Sequence, residues 1–163
     1  MMVSMIEVRP LTGDDGAWKE GSLRRAWGGT EVARMGELID AMRLTGLVAL
    51  RDGTRAGLLT FAVRETQFEI VTIHTDLEGV GVGQALMNAA RDLAVELGAR
   101  RMWLTTTNNN VRALRFYQLW GMDLVALSRD GVARSRAAKP SIPLVDDDGV
   151  AIRHELEFEL LLD

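Results

Sequence analysis

The sequence predicts one domain, residues 1–163, with a mixed α/β fold built around a single sheet. Two observations support this prediction. Short apolar segments in the first half, broken by polar turns, are typical of an antiparallel meander, whereas the second half alternates strand and helix patterns. Strands separated by a helix are expected to pair in parallel. The chain is long enough to bury a sizeable core.

The first half is predicted to hold four strands and two helices. Asp14 or Asp15 caps the first helix, and Gly28 ends it. Polar turns at 51–53 and 64–67 separate the later strands. In order, the elements are strand 5–9, helix 14–27, helix 32–43 and strands 47–50, 57–63 and 68–74.

The second half begins with a strongly amphipathic helix over 82–97, whose apolar residues recur at spacings of three and four. Gly98 ends this helix. A strand over 101–107 follows, and then a helix over 111–120 with Asn110 as its cap and Gly121 as its end. Strand 122–127, a short helix at 132–138 and an alternating strand at 152–160 complete the chain. The alternation places His154 on the apolar face of this last strand and Glu155, Glu157 and Glu159 on its solvated face.

Composition excludes several kinds of function. With no cysteine there is no thiol catalysis or thiolate metal site, and two histidines far apart in sequence predict no metal centre. A net charge of −4 argues against a nucleic-acid partner. No apolar run is long enough for a membrane span, and the N-terminus does not read as a signal peptide. We therefore expect a cytoplasmic protein, with a homodimer left open.

Three glycines occupy alternate positions in the stretch LEGVGVGQAL, at 79, 81 and 83. They lie between a predicted strand and a predicted helix. The first turn of a helix has unpaired N–H groups and a partial positive charge, so this arrangement suits an anion. A flexible turn is the simpler interpretation. A dinucleotide-binding turn fails, because neither register of G-x-G-x-x-G is completed.

A second motif follows in the stretch NNNVRALRFYQLWGM, residues 108–122. Asn110, Ala113 and Tyr117 are spaced so that they share one helix face. We interpret Phe116 and Trp120 as core residues. Tyr117 differs from them, because a buried hydroxyl needs a partner.

Together the two motifs resemble the GNAT superfamily of acyl-CoA-dependent N-acetyltransferases. The superfamily's R/Q-x-x-G-x-G/A loop corresponds to residues 78–83, and its N-x-x-A-x-x-F/L-Y-x-x-x-G-F signature to 110–122. The sequence departs twice: Glu78 stands where Arg or Gln is usual, and Met122 replaces an aromatic residue. The tail, with KPSIP at 139–143 and IRHELEFE at 152–159, and Trp27-Gly28 upstream resemble an uncharacterised bacterial branch of the superfamily. Lys139-Pro140 would close a loop beside the cleft and help to select the substrate. A rigid surface connector is the alternative.

The resemblance implies a GNAT-like fold with helices on both faces and a central parallel pair that splays around a coenzyme A cleft. Acetyl-CoA would be the cosubstrate. Its pantetheine would pair along the strand edge near Ile73 and Thr75. Further contacts are expected from Gly79, Val80, Gly81, Val82, Gly83, Gln84, Asn110, Ala113 and Tyr117.

The implied reaction is attack on the thioester by a primary amine of a small molecule or peptide. Tyr117, protonated at neutral pH, is our predicted general acid, and a backbone N–H at Ile73 would stabilise the oxyanion. Glu69 is our first choice of general base, followed by Glu65 and His74, with water as a relay for any of them. His154 is interpreted as a structural histidine. A catalytically silent acyl-CoA-binding module and an unrelated nucleotide-binding protein remain alternatives.

Overall fold

The structure, a computed structural model, describes residues 3–163. Its strands are β1 (Ile6–Pro10), β2 (Glu31–Arg34), β3 (Glu37–Asp40), β4 (Thr45–Arg51), β5 (Thr54–Arg64), β6 (Gln67–Thr75), β7 (Arg101–Thr107), β8 (Asp123–Ser128) and β9 (Glu155–Leu161). Its α-helices are α1 (Gly16–Trp27), α2 (Val82–Glu96), α3 (Val111–Trp120) and α4 (Val132–Ala138).

Seven strands form one twisted sheet in the order β1-β4-β5-β6-β7-β9-β8. The pair β6–β7 is parallel, and the other neighbours in this sheet are antiparallel. Helix α2 lies between β6 and β7 in sequence, as a parallel connection requires. The predicted mixed sheet, with its antiparallel meander and one central parallel pair, is confirmed.

Hydrophobic cores cover both faces of the sheet. The larger core packs α2 and α3 against one face, with Leu86, Met87 and Phe158 fully buried. The smaller core packs α1 against the other face through Leu23 and Leu58. Because successive residues of a strand point to opposite faces, Leu58 and Leu59 of β5 contribute to different cores. The expectation of helices on both faces is confirmed.

A β-hairpin replaces the second helix predicted over 32–43. Strands β2 and β3 pair antiparallel around a two-residue turn at Met35 and Gly36. Both turn residues have positive φ, +54° and +77°, which a tight two-residue hairpin turn requires. The predicted helix is therefore wrong. Apolar spacing suggested a helix, whereas the Gly36 turn decides the local structure, and the only helical part of 32–43 is a 3₁₀ turn at Ala41–Arg43.

The other predicted elements agree with the structure to within three residues at each end. Two details differ. The last strand begins at Glu155, so His154 precedes it instead of lying on its apolar face. Asn110 and Asp15 occupy the predicted N-cap positions of α3 and α1, but neither side chain bonds to the helix that it precedes, and that of Asn110 donates to Thr106 Oγ1 at 3.2 Å.

Candidate active site

The parallel pair β6–β7 separates along its length and opens a gap in the middle of the sheet. The two strands pair only through Gln67–Arg101, Phe68–Met102 and Glu69–Trp103. Beyond Glu69, β6 stays paired with β5, and β7 with β9. A register shift between β5 and β6 adds an extra residue, Val71, where the separation begins. The β6 backbone facing β7 is therefore unpaired over 70–75 and can bind an extended chain.

A cavity of about 660 Å³ lies at the open end of this gap, and we call it the glycine chamber. The loop between β6 and α2 forms one wall, and α3 forms the other. The predicted cofactor residues that line it are Ile73, Thr75, Gly79, Gly81, Val82, Gly83, Gln84, Asn110, Ala113 and Tyr117. Val80 is not among the lining residues, because its side chain packs against the larger core. The structure thus assembles two segments that lie about 30 residues apart in sequence.

The N-terminus of α2 points its free amides at the glycine chamber. The N–H groups of 82–84 have no partner inside the helix, because the first intrahelical bond runs from Ala85 N to Gly81 O at 3.0 Å. Within residues 3–163, no side chain caps this end and no acidic residue occupies its first turn. Gly79 and Gly81 have φ of +72° and +89°, which side-chain-bearing residues rarely adopt. The wall is therefore bare main chain with a partial positive charge.

Glu78 does not point its carboxylate at these amides. It forms an ion pair with Arg112 at the start of α3, and both side chains are largely exposed. The pair spans the rim of the glycine chamber, which both residues line. An exposed pair of this kind contributes little to stability. Its consequence is electrostatic, because the positive charge of Arg112 offsets the negative charge of Glu78 beside the glycine chamber.

A second cavity, of about 370 Å³, lies on the opposite face of the sheet, and we call it the hairpin chamber. It is enclosed by the end of α1, by β2 and by the segment 139–143. Three residues line both chambers: Ile73, Asn110 and Tyr117. The gap between β6 and β7 therefore connects two compartments, and these three residues mark the junction.

Tyr117 is held at this junction by aromatic packing. Its ring lies 5.5 Å from the ring of Phe116 and 5.5 Å from that of Phe158, measured between centroids. Among residues 3–163, no protein group hydrogen-bonds its hydroxyl, although that group lies in a buried residue. Burial raises the pKa of the phenol well above its usual value, so the hydroxyl keeps its proton. Tyr117 thus offers an unused proton donor at the junction.

Glu69, our predicted general base, is committed to an ion pair. Its two oxygens accept from Arg34 Nε at 2.6 Å and from a second guanidinium nitrogen at 2.7 Å. Both side chains are about nine-tenths buried, and the guanidinium also lies 5.8 Å from the Trp103 ring centroid. The sequence did not indicate that Arg34 pairs with Glu69, because Arg34 lies within the helix predicted over 32–43. This geometry anchors the hairpin to the sheet and occupies one acceptor site on each Glu69 oxygen.

The fold places the other predicted titratable residues at three separate positions. Glu65 lies in the turn between β5 and β6, at the far end of β6 from Ile73. His74 lines the glycine chamber, contacts Asp76 at 3.2 Å and packs edge-on against Trp27. His154 Nδ1 accepts from Asp130 N at 3.0 Å, which agrees with a structural role.

Glu155 is a buried residue whose role the sequence did not indicate. The alternating pattern predicted a solvated face for it, but it is 5% exposed. Its Oε2 accepts from Met35 N and from Ser135 Oγ, both at 3.0 Å. Glu155 therefore ties the hairpin turn to α4 and β9 and supports one wall of the hairpin chamber.

A splayed parallel pair with a glycine-lined helix start at the gap defines a class of acyl-group transferases, and comparison with known proteins agrees. The model of the GNAT acetyltransferase family matches residues 17–122. The chain belongs to the GNAT acetyltransferase family.

Relatives of this chain occur in bacteria. It is 32% identical over 138 residues to YdhI of Bacillus subtilis, an uncharacterized protein, covering 84% of this chain and 86% of YdhI. It is 30% identical over 104 residues to the streptothricin acetyltransferase of Streptomyces lavendulae, covering 61% of this chain and 55% of that protein.

Solved structures share the fold. A Bacillus subtilis acetyltransferase in complex with CoA superposes with a TM-score of 0.68, at 20% identity, over 99% of this chain and 100% of that one. Its ligand agrees with the acetyl-CoA that the sequence predicts. Across residues 3–163, no helix has both the length and the apolar character needed to cross a membrane. The same residues hold no cluster of three or more His, Asp or Glu side chains suited to a metal ion.

Proposed function

We propose that this protein transfers an acetyl group from acetyl-CoA to a primary amine. The observation that carries the proposal is the junction: a buried phenol, Tyr117, lies between an anion-binding helix start on one face of the sheet and the hairpin chamber on the other. Acetyl-CoA occupies the glycine chamber in this proposal, and the acceptor amine occupies the hairpin chamber.

The glycine chamber suits the parts of coenzyme A in order. The diphosphate lies on the free amides of 82–84, where the helix dipole favours negative charge. The pantetheine amides pair with the unpaired β6 backbone near Ile73 and Thr75. This route brings the thioester to the junction, beside Asn110 and Tyr117. Backbone donors supply most of the binding, so the Glu78 departure does not prevent it.

Transfer forms a bond between the amine nitrogen and the acetyl carbon and breaks the carbon–sulfur bond. The amine loses one proton and the leaving sulfur gains one. Tyr117 donates to the sulfur as negative charge develops on it, and then regains its proton from solvent. The Ile73 N–H, on the unpaired edge of β6, stabilises the negative carbonyl oxygen.

The proton of the amine goes to water in the hairpin chamber under this proposal. An alkyl amine has a pKa of about 10.4, so most of it is protonated at neutral pH and must lose one proton to water before attack, in addition to the proton lost during transfer. Glu69 would have to weaken its bidentate pair with Arg34 on accepting that proton. A water chain has no such cost, and Thr105, Thr106 and Asn109 provide polar contacts along the chamber wall.

Uptake of the cosubstrate tests the proposal directly. Calorimetry should show one acetyl-CoA site per chain, and thermal denaturation should show that acetyl-CoA raises the melting temperature while NAD and ATP at equal concentration do not. Release of free CoA should then require an added amine. A protein that binds acetyl-CoA but releases no CoA with any amine would instead be the silent binding module. A protein that binds NAD or ATP in place of acetyl-CoA would contradict the assignment.

A glycine substitution with a matched control locates the site. Gly81 and Gly98 lie at opposite ends of α2, both with left-handed φ, +89° and +78°. Alanine at either position costs about 1–2 kcal/mol of backbone strain. Gly81→Ala should weaken acetyl-CoA binding by about tenfold or more, because it disturbs the amides that hold the diphosphate. Gly98→Ala should lose similar stability and bind acetyl-CoA normally. Equal affinities for the two variants would place the diphosphate elsewhere.

A further inference from the structure

The segment 139–143, which we call the strap, lines one wall of the hairpin chamber and is fixed at both of its ends. Lys139 Nζ donates to Trp27 O and to Glu31 O, both at 2.7 Å. Those carbonyls lie at the end of α1 and the start of β2, more than 100 residues away in sequence. The bonds therefore join the strap to the opposite wall of the chamber.

The far end of the strap is held from α4. Arg136 donates through Nε to Ile142 O at 3.0 Å, and through a second nitrogen to Pro143 O at 2.8 Å and Ile152 O at 3.0 Å. Pro140 and Pro143 fix two φ angles within the same five residues. Ser141, Ile142 and Pro143 then line the chamber. A segment with this many constraints keeps its place and does not behave as a flexible loop.

The hairpin side of the chamber is also fixed in place. The Arg34–Glu69 pair fixes β2 to the sheet, and the Glu155 bonds fix the hairpin turn to β9 and α4. At about 370 Å³, the chamber is near the lower limit of the ~300–1,000 Å³ typical of small-molecule sites. A polypeptide acceptor needs an open groove, because each further residue of an extended chain adds about 3.3 Å of length.

We propose that the strap restricts the acceptor to small-molecule amines and that Lys139 is the residue that sets this limit. The inference rests on the proposed function and narrows its acceptor class. Lys139 acts by holding the strap against the Trp27 and Glu31 carbonyls, so it is a specificity-determining residue and takes no part in the chemistry. Without it, the strap has no bond to the α1–β2 wall, and the chamber opens further toward solvent.

The chain provides a closely matched control. Its two lysines both bind two carbonyl oxygens: Lys19 Nζ donates to Met42 O at 3.1 Å and to Leu44 O at 2.7 Å. Burial lowers the pKa of both ammonium groups. Lys19 lines neither chamber. Lys19→Met and Lys139→Met therefore remove the same chemical contact, once away from the hairpin chamber and once at its wall.

The experiment compares amines alone with the same amines carried on a tetrapeptide, using kcat/KM for CoA release. The wild-type protein should prefer the free amines by about 100-fold or more, since a small chamber with a fixed strap leaves little room for the attached chain. Lys139→Met should reduce that preference to about tenfold or less, and Lys139→Arg should retain more of it. Lys19→Met should keep the wild-type preference, and melting curves should show that both methionine variants are folded.

Two results separate failure of this inference from failure of the proposed function. Efficient acetylation of the tetrapeptides by the wild-type protein, within about tenfold of the free amines, would overturn the size limit and support the acetyl transfer. An unchanged preference in folded Lys139→Met would overturn the role of Lys139. The acetyl transfer itself is judged by acetyl-CoA uptake and amine-dependent CoA release, which do not depend on the size of the acceptor.

Discussion

Replacing Tyr117 by Phe should lower kcat by about 100-fold while leaving the affinity for acetyl-CoA close to that of the wild-type protein. The substitution removes only the hydroxyl. The ring contacts with Phe116 and Phe158 remain, so the junction between the chambers keeps its shape. No hydrogen bond to a protein group within residues 3–163 is lost, and the free energy of unfolding should change little.

The expected size of the effect follows from the pKa of the phenol. General acid catalysis contributes about 10²–10⁴-fold, and it is most efficient when the pKa of the donor is near the working pH. Burial raises the pKa of Tyr117 above that of an ordinary tyrosine, whereas a thiol has a pKa of about 8.5. Complete proton transfer to sulfur is therefore uphill. Tyr117 therefore transfers its proton late, as the carbon–sulfur bond breaks, and this unfavourable match of pKa values favours the lower end of the range.

The pH dependence provides a second measurement on the same variant. Activity should rise with pH as the amine loses its proton, and it should fall only where Tyr117 deprotonates. Because the pKa of Tyr117 is raised, that fall should lie above the usual tyrosine value of about 10. Tyr117 is the single tyrosine of the chain, so tyrosinate absorbance titrates it alone. A kcat within about threefold of wild type in Tyr117→Phe would contradict the role of Tyr117 as the general acid.

The sequence predicted correctly those helices whose periodicity and terminal residues lie within the same short segment. Helix α2 followed from its apolar period and from Gly98, and the exact bounds of α3 followed from its period and Gly121. The glycine chamber could be anticipated because its two motifs each carry their own pattern. Their meeting across the gap came from the resemblance, since no spacing rule brings 79–83 beside 110–117.

The contacts that sequence reasoning missed are those between residues far apart along the chain. Arg34 meets Glu69 across 35 residues, and Lys139 meets Trp27 across 112. Neither contact has a periodic signature. The incorrect helix over 32–43 also hid the contact of Arg34 with Glu69. Arg34 lies at the end of a hairpin strand, and a helix would direct its side chain to other neighbours. The sequence predicted Glu69 as a general base without showing that Arg34 is its partner. The ion pair with Arg34 supports a second role, in which Glu69 anchors the hairpin.

A double-substitution cycle on Arg34 and Glu69 can separate these two roles. Breaking a buried ion pair by removing one partner costs about 3–5 kcal/mol, because it leaves an uncompensated buried charge. Glu69→Met and Arg34→Met should therefore each destabilise the protein strongly. Replacing both partners by apolar residues is often nearly neutral, so the double variant should regain most of the lost stability. Denaturant unfolding of the four proteins measures the coupling.

The activity of the same four proteins decides whether Glu69 takes a proton. If the pair only anchors the hairpin, the double variant should recover kcat at saturating amine along with its stability. If Glu69 is the general base, the double variant should fold but stay about 100-fold or more below wild type, whereas Arg34→Met, which keeps the carboxylate, should retain activity in its folded fraction. We expect the first pattern, because both Glu69 oxygens already accept from Arg34 at 2.6 and 2.7 Å.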